Sequence, residues 1–190
     1  KLENISEWTS LLEFDVPKIV TVRLEKEGGF FEGREKKRIE IFEEAVDRGV
    51  ECIDISLSTG KKERDQIMKK ARKSNTSVIL SHHNFEEVPS YKILKKKAEE
   101  MEKEGADFAK LIGFAKTPED SVNILRFLIL AEKETEIPII SFAMGEKGKF
   151  TRIAAPILGS PITYGSVGEK AAPGQMKIDE VLSIIKKFRD

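Results

Sequence analysis

The chain has one cysteine, one tryptophan and two histidines among its 190 residues. A single thiol cannot build a disulfide framework, so Cys52, set in the apolar stretch VECIDISL, reads as a small core residue in a reducing compartment. No His/Cys/Asp cluster occurs at ligand spacing, so no metal site is expected. Neither sign of charge is in excess: Lys plus Arg and Asp plus Glu number 33 each, which leaves no bulk field for nucleic acid or an anionic membrane. Apolar runs of the roughly 18 residues needed to span a bilayer are absent, and no charged-then-apolar leader opens the chain. The cytoplasm is the expected location. Neither G-x-G-x-x-G nor G-x-x-x-x-G-K-[ST] is present, which removes the usual nucleotide cradles.

What is present describes a globular domain, with 39% hydrophobic and 35% charged residues. Much of the charge is Lys and Glu in runs such as KKKAEEMEKE, and with cysteine scarce this matches the balance of heat-adapted proteins. Short β-branched runs recur along the chain: KIVTVRL (18–24), VECIDISL (50–57), TSVILSH (76–82), DFAKLIGFA (107–115), IPIISFAM (137–144) and PITYGSV (161–167). They predict six strands. Lys/Glu-rich segments with helical spacing separate them, for example Ile39, Phe42, Ala45 and Val46, or Val122, Leu125, Arg126 and Ile129. TPED (117–120) places Thr117 at an N-cap with Pro118 at the first helical position, and RGV (48–50) and EGA (104–106) supply helix-ending glycines.

Alternation of strand and helix with short links means an α/β fold with a parallel sheet, as one domain over 1–190. Polar residues gather toward the C-terminal ends of five of the strands: Arg23; Asp54 and Ser56; Ser81, His82 and His83; Lys110; Tyr164 with Ser166. A barrel rim converges such residues on one axis, which favours a TIM (β/α)8-type barrel over a doubly wound sheet.

Lys110 interrupts an otherwise apolar strand, where an ammonium loses hydration. It is either a snorkelling or ion-paired side chain, or an amine whose pKa a dry pocket lowers until it can attack a ketone. SHHNF (81–85) holds both histidines at one strand end, where adjacent residues face opposite ways, so they cannot share a metal. One of them at a rim suits general acid–base work. TVRLEKEGG (21–29) ends a strand with Arg23, then sets Glu27 before a glycine pair that permits a tight turn. Arg152, in GEKGKFTRI, offers a guanidinium fork to a carboxylate.

In this order, TVRLEKEGG, SHHNF, FAKLIGFAKT, SFAMGEKGKFTRI, LGSPITYGSV and AAPGQM resemble the type I 3-dehydroquinate dehydratases, from about residue 18 onward. The resemblance implies a (β/α)8 barrel that converts 3-dehydroquinate to 3-dehydroshikimate without metal or organic cofactor. It implies that Lys110 forms the Schiff base and that His83 carries the proton, with Glu27 paired to that histidine. By the same resemblance Arg23 would line the substrate pocket and Arg152 would bind the substrate carboxylate. Gln175 would belong to a lid loop, while Phe142 and Met144 would wall the imine off from water.

The chain departs from that pattern at three places. Ala171 stands where the family's lid often has a serine, and Ser56 replaces a glutamate. The family's first two strands have no counterpart ahead of KLENISEW, so the barrel is expected to be N-terminally incomplete, and exposed edges invite a homodimer. Two other readings compete with this one: a Schiff-base aldolase acting on a sugar phosphate, and a non-catalytic barrel remnant that binds small molecules.

Overall fold

The computed structural model describes residues 5–168 and 172–188. Among them, five parallel strands lie in chain order in one open sheet: β1 (Ile19–Thr21), β2 (Cys52–Ser56), β3 (Ser77–His83), β4 (Phe108–Phe114) and β5 (Ile139–Met144). Each is followed by a helix: α1 (Glu35–Asp47), α2 (Lys61–Lys73), α3 (Tyr91–Lys103), α4 (Pro118–Ala131) and α5 (Thr151–Ile157), with α6 (Ile178–Lys186) last. This is the parallel α/β order expected. Contacts group the chain into two compact units, residues 1–80 and 81–190.

In the first unit, β2 is buried at all five positions, Cys52 among them. α1 buries the predicted stripe, Ile39, Phe42, Ala45 and Val46, and Gly49 then turns the chain at φ +75°. Arg38 is also buried in that helix. Its guanidinium donates to both carboxylate oxygens of Glu35 (2.9 and 2.6 Å), to the Val22 carbonyl (3.2 Å) and to Thr59 Oγ1 (2.8 Å). With its donors engaged the charge is tolerable inside, and the segments after β1 and β2 are tied to α1.

In the second unit, β4 and β5 pair so that Lys110 faces Ile140, Ile112 faces Phe142 and Phe114 faces Met144. The two-residue period puts these six side chains on one side of the sheet and Ala109, Leu111, Ser141 and Ala143 on the other. α4 begins with a capping box: Thr117 Oγ1 accepts from the Asp120 N–H, while the Asp120 carboxylate accepts from the Thr117 N–H.

Two expectations need correction here. The buried stripe of α4 is Ser121, Ile124, Leu125, Phe127, Leu128 and Ala131, while Val122 is 59% exposed and Ile129 39%. The helix is apolar around much of its girth, so a period of 3.6 admits more than one stripe, and the arc that carries Phe127 with Leu128 buries more area. Residues 161–167 do not form a strand. They run as an irregular segment whose described pairing is a single bridge, Ser166 to Lys177. Pro161 lacks an N–H for a ladder, and Gly165 lies so close to Ile178 that a Cβ would overlap its Cα.

Candidate functional site

In the 1–80 unit, Arg23 follows β1 and donates from Nη2 to Asp54 Oδ1 at 2.8 Å, with both side chains largely withdrawn from water. The turn after it is built on glycines. Gly28 takes φ +72° and closes the 3₁₀ turn Glu25–Glu27, and a Cβ on Gly29 would overlap the Arg23 carbonyl. The Glu27 carboxylate is thereby set against the end of β2. There Ser56 Oγ donates to its Oε1 at 3.0 Å, Ser58 Oγ donates to the same oxygen, and the two hydroxyls lie 2.9 Å apart. Glu27 Oε2 is buried with no hydrogen-bond partner among the described residues. The serine that replaces the expected glutamate at position 56 thus acts as a donor to Glu27. Ser58 is an addition to the expected residues, although S-x-S at a strand end is the pattern that presents two hydroxyls on one side.

In the 81–190 unit, Lys110 lies third of seven residues in β4, not toward its C-terminal end as expected. The strand continues past it because Gly113 lets residues 87–88 approach the backbone, and the Phe114 N–H donates to the Glu87 carbonyl at 3.0 Å. Lys110 is 6% exposed, and its Nζ sits 4.2 Å from the ring centroid of Tyr164. That ring tilts against Phe142 at 5.8 Å, and the Arg152 guanidinium carbon lies 4.5 Å above the Phe142 ring. Lys110, Tyr164, Phe142 and Arg152 therefore form one continuous cluster, two cations over two aromatic faces. Met144 is buried two residues beyond Phe142 on the same face of β5.

Arg152 is held in the first turn of α5 by its neighbour. Thr151 Oγ1 accepts from the Ala143 N–H (2.8 Å) and donates to the Gly148 carbonyl (2.6 Å), which fixes the start of α5 to β5. Arg152 is 2% exposed and its Nη2 reaches the Pro173 carbonyl at 3.4 Å, yet its Nε is buried with no partner among the described residues. Burial pulls the guanidinium pKa down from its ordinary value to about 10, because the water it loses is replaced only in part among the described residues. An anion bound there would reverse that penalty.

The loop that supplies Pro173 presses on the end of β5: a Cβ on Gly174 would overlap the Gly145 carbonyl. Gln175 is buried in this loop, its N–H donating to the Ala172 carbonyl at 3.2 Å, while Ala171 lies outside the described residues. His82 and His83 are half-buried at the end of β3, and the His83 ring stacks on Phe85 at 6.2 Å. The sequence pattern marks Tyr164 only as a polar residue of a predicted strand. Its place over Lys110 is the main addition to the site. Among the described residues no group of three or more His, Cys, Asp or Glu side chains is arranged to hold a metal ion, and no helix is long and apolar enough to cross a membrane.

Known proteins of related sequence and fold bear on this cluster. Residues 1–189 match the family model described as type I 3-dehydroquinase. The chain is 36% identical over 185 residues to a 3-dehydroquinate dehydratase of Pyrococcus abyssi, covering 97% of this chain and 82% of that one. It is 39% identical over 178 residues to one of Methanosarcina barkeri, covering 92% and 73%. Among solved structures it superposes on a type I 3-dehydroquinate dehydratase from Clostridium difficile, crystallised with covalently modified comenic acid. The TM-score is 0.88 and the identity 28%, over 97% of this chain and 76% of that one.

Proposed function

Because the chain belongs to the type I 3-dehydroquinase family and is thereby a 3-dehydroquinate dehydratase, a lyase of the shikimate pathway, we propose that its reaction runs through an imine on Lys110. The observation that carries this reading is a lysine 6% exposed in an apolar strand, with its nitrogen over the ring face of Tyr164. Attack on a ketone needs the neutral amine, which is the nucleophilic form. The amine adds to the substrate C3 ketone and water leaves, giving a protonated imine. That cation draws electrons from C2, so the adjacent C–H becomes acidic enough for a side chain to remove. His83 takes the C2 proton, the C1 hydroxyl departs as water with a proton returned to it, and hydrolysis of the imine frees the lysine and the product enone.

Arg152 binds the substrate carboxylate through its guanidinium fork, and its burial with an Nε that has no partner among the described residues supports this. Phe142 and Met144 supply the apolar wall that keeps bulk water from the imine. By the family resemblance Gln175 is assigned to the lid loop, and Ala171, which lies outside the described residues, to the position where that lid often has a serine. Arg23 and Glu27 are assigned on the family resemblance, Arg23 to substrate and Glu27 as the carboxylate serving the proton-carrying histidine. The covalent modification described for the Clostridium difficile relative is consistent with adduct chemistry in this family.

Reductive trapping tests the reading. Sodium borohydride added with 3-dehydroquinate should inactivate the protein irreversibly, and peptide mass mapping should place the reduced adduct on Lys110. Lys110→Met keeps the length and apolar stem and should neither trap nor turn over substrate; Lys110→Arg should fail too, because a guanidinium stays protonated. An adduct on another lysine, or full turnover by Lys110→Met, would remove the mechanism.

A further inference from the structure

We propose that Tyr164 is a further catalytic residue, whose ring face carries the positive charge on the Lys110 nitrogen through imine formation; this rests on the reading of Lys110 as the Schiff-base lysine. Nζ lies 4.2 Å from the ring centroid, well within the roughly 6 Å over which a cation is held by the ring quadrupole. The site is buried and already holds the Arg152 guanidinium over the adjoining Phe142 ring, so bulk water is not there to solvate a second cation.

A ring suits this chemistry better than a hydrogen-bond acceptor, and the balance of the step shows why. The ammonium with the ketone gives the protonated imine with one water: the N–C double bond forms, the C–O bond breaks, and two of the three N–H protons leave with the oxygen. Any group that held the ammonium through those two donors loses its contact as the reaction proceeds. The charge itself remains on nitrogen. Attraction between a cation and a π face depends on the charge and not on the number of N–H bonds: it weakens when the neutral amine attacks and returns in full on the iminium, so Tyr164 favours the charged imine over the free amine. It thereby holds the electron sink from which C2 is made acidic.

The fold pins this residue although its segment is irregular. Pro156 in α5 has no N–H to give to the Arg152 carbonyl, one helical turn before it. Thr163 Oγ1 donates to that carbonyl instead, at 2.5 Å, which anchors the residue before Tyr164 to the helix that carries Arg152. On the other side, Gly165 abuts Ile178, the Ser166 N–H donates to the Met176 carbonyl (2.8 Å) and the Ile178 N–H to the Ser166 carbonyl (3.0 Å). Tyr164 is thus fixed from both neighbours and set against Phe142, as preorganised electrostatic stabilisation requires.

The test uses the full chain, 3-dehydroquinate and borohydride, and reads the rate of trapping at Lys110 with kcat and KM. Tyr164→Leu keeps apolar bulk and removes the π face. Trapping rate and kcat should each fall about thirtyfold, the equivalent of about 2 kcal/mol at 1.36 kcal/mol per tenfold, with KM changed much less. Tyr164→Phe should recover most of that loss. Phenylalanine carrying one, two or three ring fluorines at position 164 weakens the quadrupole with little change of shape, so trapping and kcat should decline stepwise along the series. Wild-type trapping at Lys110 with a flat fluorine series would overturn the role of Tyr164 and leave the imine intact. Absence of wild-type trapping at Lys110 would overturn both.

Discussion

Replacing Arg152 by methionine should make the ligand-free protein more stable and a worse catalyst. The guanidinium is 2% exposed, and burial lowers its pKa from the ordinary guanidinium value to about 10. At about 1.36 kcal/mol per pKa unit, the charged form carries a penalty of roughly 3 kcal/mol in the folded state. The sign follows from the direction. The folded pKa lies below the unfolded one, so the penalty is fully present below about pH 10 and fades only as pH rises beyond that toward the ordinary guanidinium range. Methionine fills most of the stem without the charge, and it forfeits the contact with the Phe142 ring, worth about 1–2 kcal/mol in a desolvated setting. A net gain of about 1–2 kcal/mol remains. For a chain of this size that raises the melting temperature by about 3–6 °C at neutral pH. The gap between variant and wild type should narrow above pH 10. Loss of the carboxylate's partner should weaken substrate binding by about 2 kcal/mol or more, so KM rises about thirtyfold or more. Thermal melting without ligand and steady-state kinetics, followed by the ultraviolet absorbance of the enone product, read the two effects. An unchanged KM would remove Arg152 from substrate binding, and a lower melting temperature would show that its charge is compensated in the free protein.

Two further outcomes follow from the geometry. His83→Ala should lower kcat by about a hundredfold or more as the proton carrier is lost, and His82→Ala should do less; the reverse ranking would make His82 the proton carrier. Gly29→Ala drives a Cβ into the Arg23 carbonyl, so the turn that sets Glu27 against Ser56 must shift. Its melting temperature should drop by the equivalent of about 1–3 kcal/mol with kcat reduced, whereas wild-type melting and activity would mean that the turn relaxes without consequence.

Local physics is readable from the residues alone. Thr117, Pro118 and Asp120 specify a helix start by hydrogen bonds that span only three positions, and Gly49 and Gly105 end helices at φ +75° and +83°, conformations that only glycine adopts freely. Apolar β-branched runs locate the five strands to within a few residues, and a lysine inside one of them is anomalous on solvation grounds from its sequence neighbours alone. Position along the strand is another matter. Lys110 lies in the first half of β4 because Gly113 admits residues 87–88 beside the later half, and that approach depends on chain some 25 residues distant.

The same distinction accounts for the rest of the site. Nothing in SLS announces that Ser56 and Ser58 converge on Glu27, some 30 residues earlier, and nothing in PITYGSV announces that Tyr164 stands over Lys110 and leans on Phe142. An alternating apolar run favours a strand until Pro156 frees a carbonyl for Thr163 and Ile178 crowds Gly165. The sequence determined which residue types were out of place and what chemistry each could perform, since burial cost and nucleophilicity belong to the side chain itself. Tertiary structure decided which of them meet, because a ring face 4.2 Å from a lysine nitrogen, or a guanidinium buried with its Nε unpartnered among the described residues, exists only once distant segments have packed.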